Sequence, residues 1–227
     1  LEPSSAASDV YKRQVEEDPQ VQALIDSETE YVCIVGKSSN LHITKALETD
    51  VDNAILMAVD TVRFLKENNR KVFFDAEHFF DGLKENAEVT LKILDSVVKE
   101  GVECFIFCDT NGGTLPHEVT ELLNPIIEKY PNQEYGVHFQ NDNGCAVTNS
   151  LAAVNLGVKH VQGTMNGYGE RTGNADLCTL LPNLSLKMNL ETVPEKSLEK
   201  LTPIANHIAE LVNIAIDSRH PYVGSSA

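Results

Sequence analysis

The chain has 227 residues, 42% hydrophobic and 23% charged, a composition that suits a soluble globular protein with a packed core. Its 18 Lys and Arg against 34 Asp and Glu leave a formal charge of −16, which argues against nucleic acid or an anionic membrane surface as the main partner; no apolar run approaches the roughly 18 residues of a membrane span. Five cysteines without a Cys-x-x-Cys pair indicate neither a disulfide framework nor a four-cysteine zinc site, so the chain reads as reduced and cytoplasmic.

Residues 1–14 lack apolar periodicity and have no h-region after a basic start, so they are not a secretory signal. They read as a non-native, disordered leader. Residues 15–27 predict a short helix, and the β-branched run 31–35 a buried strand. Helix follows at 51–65, strand at 71–75, and helix at 87–98, closed by Gly101, which fits a left-handed cap. The run 102–108 predicts a strand, and Pro116 opens the next helix. Short strands at 134–137 and 159–161 flank a helix at 146–155, and the last helical regions cover 174–181 and 198–216.

This alternation requires parallel strands joined by helical crossovers. Pattern alone does not choose between an open doubly wound sheet and a (β/α)8 barrel. Polar clusters favour the barrel: Asp75-Ala76-Glu77-His78, Asp109-Thr110-Asn111, His138 to Asp142, and Gly163 to Asn166 each follow a strand. They would meet at one carboxyl-terminal rim, where barrel enzymes build their sites.

Other motifs fail. Gly36-Lys37-Ser38 ends like a phosphate loop, but Tyr31 stands where that loop needs its first glycine. The segment Gly167 to Thr172 has a threonine in place of the third glycine of a dinucleotide fingerprint. Cys104 and Cys108 share one strand face and read as core filling. His78, His117 and His207 are expected at surfaces or helix starts, Asp109 as a brace of the rim, and Asp142 as a charge at a helix N-terminus.

Five ordered segments carry a family resemblance: Phe74–Gly82, Cys108–Val119, Gly136–Gly144, Asn149–Val154 and Gln162–Ala175. Together they resemble the isopropylmalate, homocitrate and citramalate synthases, a family of metal-dependent barrel enzymes, and within it the citramalate branch. The resemblance implies an acyltransferase: Claisen condensation of acetyl-CoA with pyruvate, then thioester hydrolysis to citramalate and CoA, on a route to isoleucine. It also implies a divalent cation (Mg, Mn or Zn), and a homodimeric parent protein. His138 and Asn174 match metal ligands. Gln140 falls where the family has a second metal histidine; side chains two apart on a strand share a face, so it points into the same site. Its amide oxygen is a poorer ligand than imidazole for zinc-like ions. Glu77 matches a catalytic carboxylate, and Thr110 a hydroxyl near the keto-acid carboxylate.

The family's opening Asp-x-Thr-Leu-Arg-Asp-Gly strand has no counterpart here. The expectation is therefore a partial barrel of about five of eight βα units over residues 15–185, then a truncated helical extension over 186–227, without the regulatory domain. Such a piece is expected to be inactive alone. Two alternatives stand beside this: an isopropylmalate or homocitrate synthase acting on a larger keto acid, and a non-catalytic relative in which Gln140 marks a degenerate site.

Overall fold

The computed structural model describes residues 15–227, so the leader read at 1–14 lies outside the described residues. A single 3-10 turn at Val15–Glu17 precedes α1 (Pro19–Asp26). Asp18 caps that helix, its carboxylate accepting from the backbone N–H groups of Gln20 and Val21 at 2.8 and 3.2 Å. Then follow β1 (Tyr31–Lys37), α2 (Asn40–Lys45), α3 (Val51–Glu67), β2 (Lys71–Glu77), α4 (Phe79–Glu100) and β3 (Cys104–Asp109). The chain continues with α5 (Pro116–Lys129), β4 (Glu134–Phe139), α6 (Ala146–Asn155), β5 (His160–Gln162), α7 (Leu177–Pro182), α8 (Glu195–Leu198) and α9 (Leu201–Val212).

The five strands form one sheet in the order β1-β2-β3-β4-β5, every neighbouring pair parallel. A doubly wound sheet reverses its strand order at a switch point. This sheet never reverses, so it is an arc of a (β/α)8 barrel.

Strand parity divides the side chains between two faces. The helix-facing set builds the main core: Phe74, Phe105, Phe107, Val137 and Phe139 are fully or almost fully buried. Aromatic pairs tie the layers together, with Phe79 to Phe107 centroids 4.8 Å apart and Phe107 to Tyr135 5.0 Å apart. The opposite face carries Cys104, Ile106 and Cys108 in a small separate cluster, as expected of core filling. A second cluster seats α9: Leu201 and Ala205 pack with Cys178 and Val223.

Several elements differ from the sequence reading: α2 is absent from it, β3 starts at Cys104 rather than at 102, and α9 covers Leu201–Val212 rather than 198–216, closed by Asn213 at φ 54°. Non-helical Asn86 (φ −154°) kinks α4, and its side chain accepts from the Val89 N–H at 3.4 Å, so the helix expected at 87–98 is the part of α4 after the kink; the helical turns from Phe79 to the kink, whose Phe79, Phe80 and Gly82 are buried, were not expected. Asn174 is not helical. It makes an isolated antiparallel bridge with Gln140, and α7 starts only at Leu177, capped by Asp176. Gly101 does close α4 in the left-handed region, at φ 81°. Among the described residues, no helix is long and apolar enough to cross a membrane.

Candidate active site

The inward face of the arc becomes polar toward the carboxyl ends of its strands. Glu77 is the last residue of β2, and Lys37, the last of β1, is its register partner. Their side chains form an ion pair. Lys37 belongs to the rejected phosphate-loop motif, and its role was missed; its parity with Cys33 and Val35 was the available signal. The Glu77 carbonyl is also fixed, accepting from the Ser38 N–H at 2.9 Å and from its hydroxyl at 2.7 Å.

Thr110 follows β3 directly. Its hydroxyl oxygen accepts from the His78 N–H at 2.8 Å, which leaves the hydroxyl proton available to another acceptor. His78 is buried at the start of α4 in the left-handed region (φ 60°). Its ring stacks on His42 at 3.5 Å between centroids, and its Nδ1 lies 3.3 Å from Asp81. The hydrogen bond with His78 holds the Asp81 carboxyl below the usual carboxylate range. His117 and His207 are exposed, as expected.

Asp109 is a brace. Only 1% exposed, it accepts from the backbone N–H groups of Gly113 and Thr114 at 3.3 and 3.0 Å, while burial pushes its carboxyl up. Asp142 does not serve as a helix-terminal charge. It takes a two-pronged contact from Arg171, Nε at 2.7 Å and Nη2 at 2.9 Å, and Arg171 also donates to the Thr110 carbonyl.

His138 lies in β4, with Cys108 and Gln162 as register partners on either side. Its Nδ1 is 2.7 Å from Gln162 Oε1, while Gln162 Nε2 donates to Asp75 Oδ1 at 3.0 Å and Cys33 Sγ donates to the same oxygen at 3.2 Å. Gln162 was not singled out from sequence, since it lies 24 residues from His138 and 87 from Asp75. Burial raises the Asp75 carboxyl, against the pull of these hydrogen bonds.

Gln140, immediately past β4, is 8% exposed. A backbone bridge pairs Gln140 with Asn174, and each carries a buried amide oxygen, Gln140 Oε1 and Asn174 Oδ1, with no hydrogen-bond partner among the described residues. Buried acceptors without donors are costly, and a hard cation is the group such oxygens suit. The residues present therefore fit a divalent ion. Among the described residues no cluster of three or more His, Cys, Asp and Glu side chains is assembled for metal, so such a site would rest mainly on amide oxygens.

An apolar groove of about 230 Å³ runs along β1, lined by Val21, Val35, Met57 and Thr61. Of the residues just described, Cys33 and Lys37 reach it.

The sequence profile of the HMGL-like family matches residues 5–208. The (R)-citramalate synthase of Aquifex aeolicus is 48% identical over 215 residues, covering 95% of this chain and 41% of that protein. A homocitrate synthase of Sulfolobus acidocaldarius is 30% identical over 217 residues, covering 96% of the chain and 45% of that protein. The chain thus spans about two fifths of the length of the curated relatives it matches. Among solved structures, the HMG-CoA lyase of Bacillus subtilis superposes with a TM-score of 0.76 at 19% identity, over 88% of this chain and 69% of that one. That likeness establishes the barrel fold.

Proposed function

Since the chain belongs to the HMGL-like family, we propose that it carries part of an acyltransferase site that condenses acetyl-CoA with pyruvate to give citramalate and CoA. The observation that carries this reading is the gap in similarity: citramalate synthases stand well above the homocitrate and isopropylmalate synthases, which take larger keto acids. The rim supports it, since a carboxylate, a hydroxyl, an imidazole and two unpartnered amide oxygens all lie at or beyond the carboxyl ends of the strands of one arc.

In this reading Glu77 works at the reacting carbons, its charge balanced by Lys37 so that a carboxylate can stand in a half-buried rim. It is the candidate base for the acetyl methyl proton. Thr110 offers its hydroxyl proton to the keto-acid carboxylate. His138, Gln140 and Asn174 would hold the divalent ion, which when bound supplies a Lewis acid for the keto oxygen. Asp109 and the Arg171–Asp142 pair keep the loops that carry Thr110, Gln140 and Asn174 in place. The five free cysteines agree with a reducing, cytoplasmic setting. A homodimer and a place in isoleucine synthesis are part of the same proposal.

The test is CoA release, followed with a thiol reagent, by the protein expressed from its complete reading frame. Release is expected with acetyl-CoA plus pyruvate. Release only with a branched or dicarboxylic keto acid overturns the assignment of pyruvate, and the absence of release with every keto acid tried favours the non-catalytic relative.

A further inference from the structure

We propose that Gln162 is a positioning residue for His138: anchored by Asp75 across the arc, it fixes the imidazole in the Nδ1–H tautomer and leaves the lone pair on Nε2. The purpose of this device rests on the ligand reading above, but its geometry does not.

The reasoning follows donors and acceptors along one chain of side chains. Cys33 from β1, Asp75 from β2, His138 from β4 and Gln162 from β5 all lie on the inward face. Asp75 Oδ1 receives two groups, the Cys33 thiol at 3.2 Å and the Gln162 amide nitrogen at 3.0 Å. An ionised carboxylate oxygen only accepts, so with Asp75 ionised that oxygen is the acceptor in both contacts. The Gln162 NH2 must then face Asp75, which turns its Oε1 to His138 at 2.7 Å. An amide oxygen only accepts, so Nδ1 must carry the hydrogen. A free neutral imidazole has no such constraint. One doubly occupied carboxylate oxygen on β2 thus sets the tautomer of a ring on β4. Carboxylate or amide partners of ligating histidines do this elsewhere, and their loss weakens metal binding by about 10–100-fold.

The contact is also a strut. It joins β5 to β2 over β3 and β4, whose inward side chains between them include Ile106 and Gly136. Ile106 and His160 fill that span, closing over Gly136, where a Cβ would meet Ile106 Cγ1 at 2.7 Å and His160 Cδ2 at 3.0 Å.

The experiment is a long-range proton–nitrogen correlation spectrum of the 227-residue chain without metal, at a pH where His138 is neutral. The expected pattern is a pyrrole-type Nδ1 and a pyridine-type Nε2 for His138. The reverse pattern overturns the proposal outright and needs no variant. Gln162→Leu and Asp75→Asn are expected to give mixed tautomers with the fold retained by circular dichroism. Gln162→Glu, which keeps an acceptor toward His138, is expected to restore Nδ1–H. An unchanged tautomer in both Gln162→Leu and Asp75→Asn also overturns it. Titration with Mn²⁺, read as broadening of the His138 signals, separates the two claims: no broadening in a chain with the expected tautomer removes the ligand reading and leaves the positioning role standing. Where Mn²⁺ does bind, Gln162→Leu is expected to weaken it at least about 10-fold.

Discussion

Lys37 and Glu77 end adjacent strands in the same register and close the inward rim with an ion pair whose side chains are 18% and 24% exposed. A pair in that position is screened less than a surface pair and solvated more than a buried one. Lys37→Met is therefore expected to cost about 1 kcal/mol, between the limits for exposed and buried pairs. Urea unfolding measures it. Glu77→Gln in the same background should add almost nothing, because the partner charge is already gone. A full additive loss in the double variant would show that the two side chains do not act together.

Gly173 has φ 95° and lies where a Cβ would run into the Gly167 carbonyl oxygen. That carbonyl accepts from the Asn174 N–H at 2.9 Å, and the Gly173 carbonyl accepts from the Asn141 N–H at 2.8 Å. Gly173→Ala is expected to cost at least about 2 kcal/mol from backbone strain and the clash. Gly113→Ala is the control, since none of the described residues lies within 4 Å of its added Cβ. Equal thermal midpoints for the two variants would contradict this picture of the loop.

Gln140 keeps a buried, unpartnered oxygen that costs stability in the absence of a cation. Gln140→Met, of similar length, is expected to leave the metal-free chain unchanged or more stable by up to about 1 kcal/mol. Gln140→His is expected to tighten zinc binding in calorimetry, imidazole being the better ligand. Destabilisation of the metal-free chain by Gln140→Met would show that the amide has a structural task instead.

The His42 ring stacks on His78, and burial, followed by the His78 and Lys37 charges, lowers its pKa below 6.5, against the opposite pull of Glu77 and Asp81. The unfolded chain then binds a proton that the folded chain resists, so stability rises with pH across this window. It is fully present above about 6.5, the unfolded value, and is lost as pH falls toward the lowered folded value. His42→Phe keeps a ring for the stack and should flatten that part of the urea-midpoint profile. Asp81, held low chiefly by its hydrogen bond with His78, adds a second loss at more acidic pH, below its ordinary carboxylate range. A profile identical in wild type and His42→Phe between neutral pH and 5 would remove His42 from the account.

Period-two alternation made the two strand faces legible: Glu77, His138 and the cysteines at 104 and 108 fall where parity puts them. Local chemistry also fixed the cap at Gly101 and the helix start at Pro116, because those preferences depend on a residue and its immediate neighbours. Strand order, hence barrel arc against doubly wound sheet, was decided only by tertiary pairing, since both architectures use the same βα repeat. The same holds for the partners that matter most at the rim. Lys37 meets Glu77, Gln162 reaches Asp75, and Gln140 bridges Asn174 through contacts 40, 87 and 34 residues apart. No periodicity encodes such meetings; they exist once the sheet has curved and brought its inward side chains together.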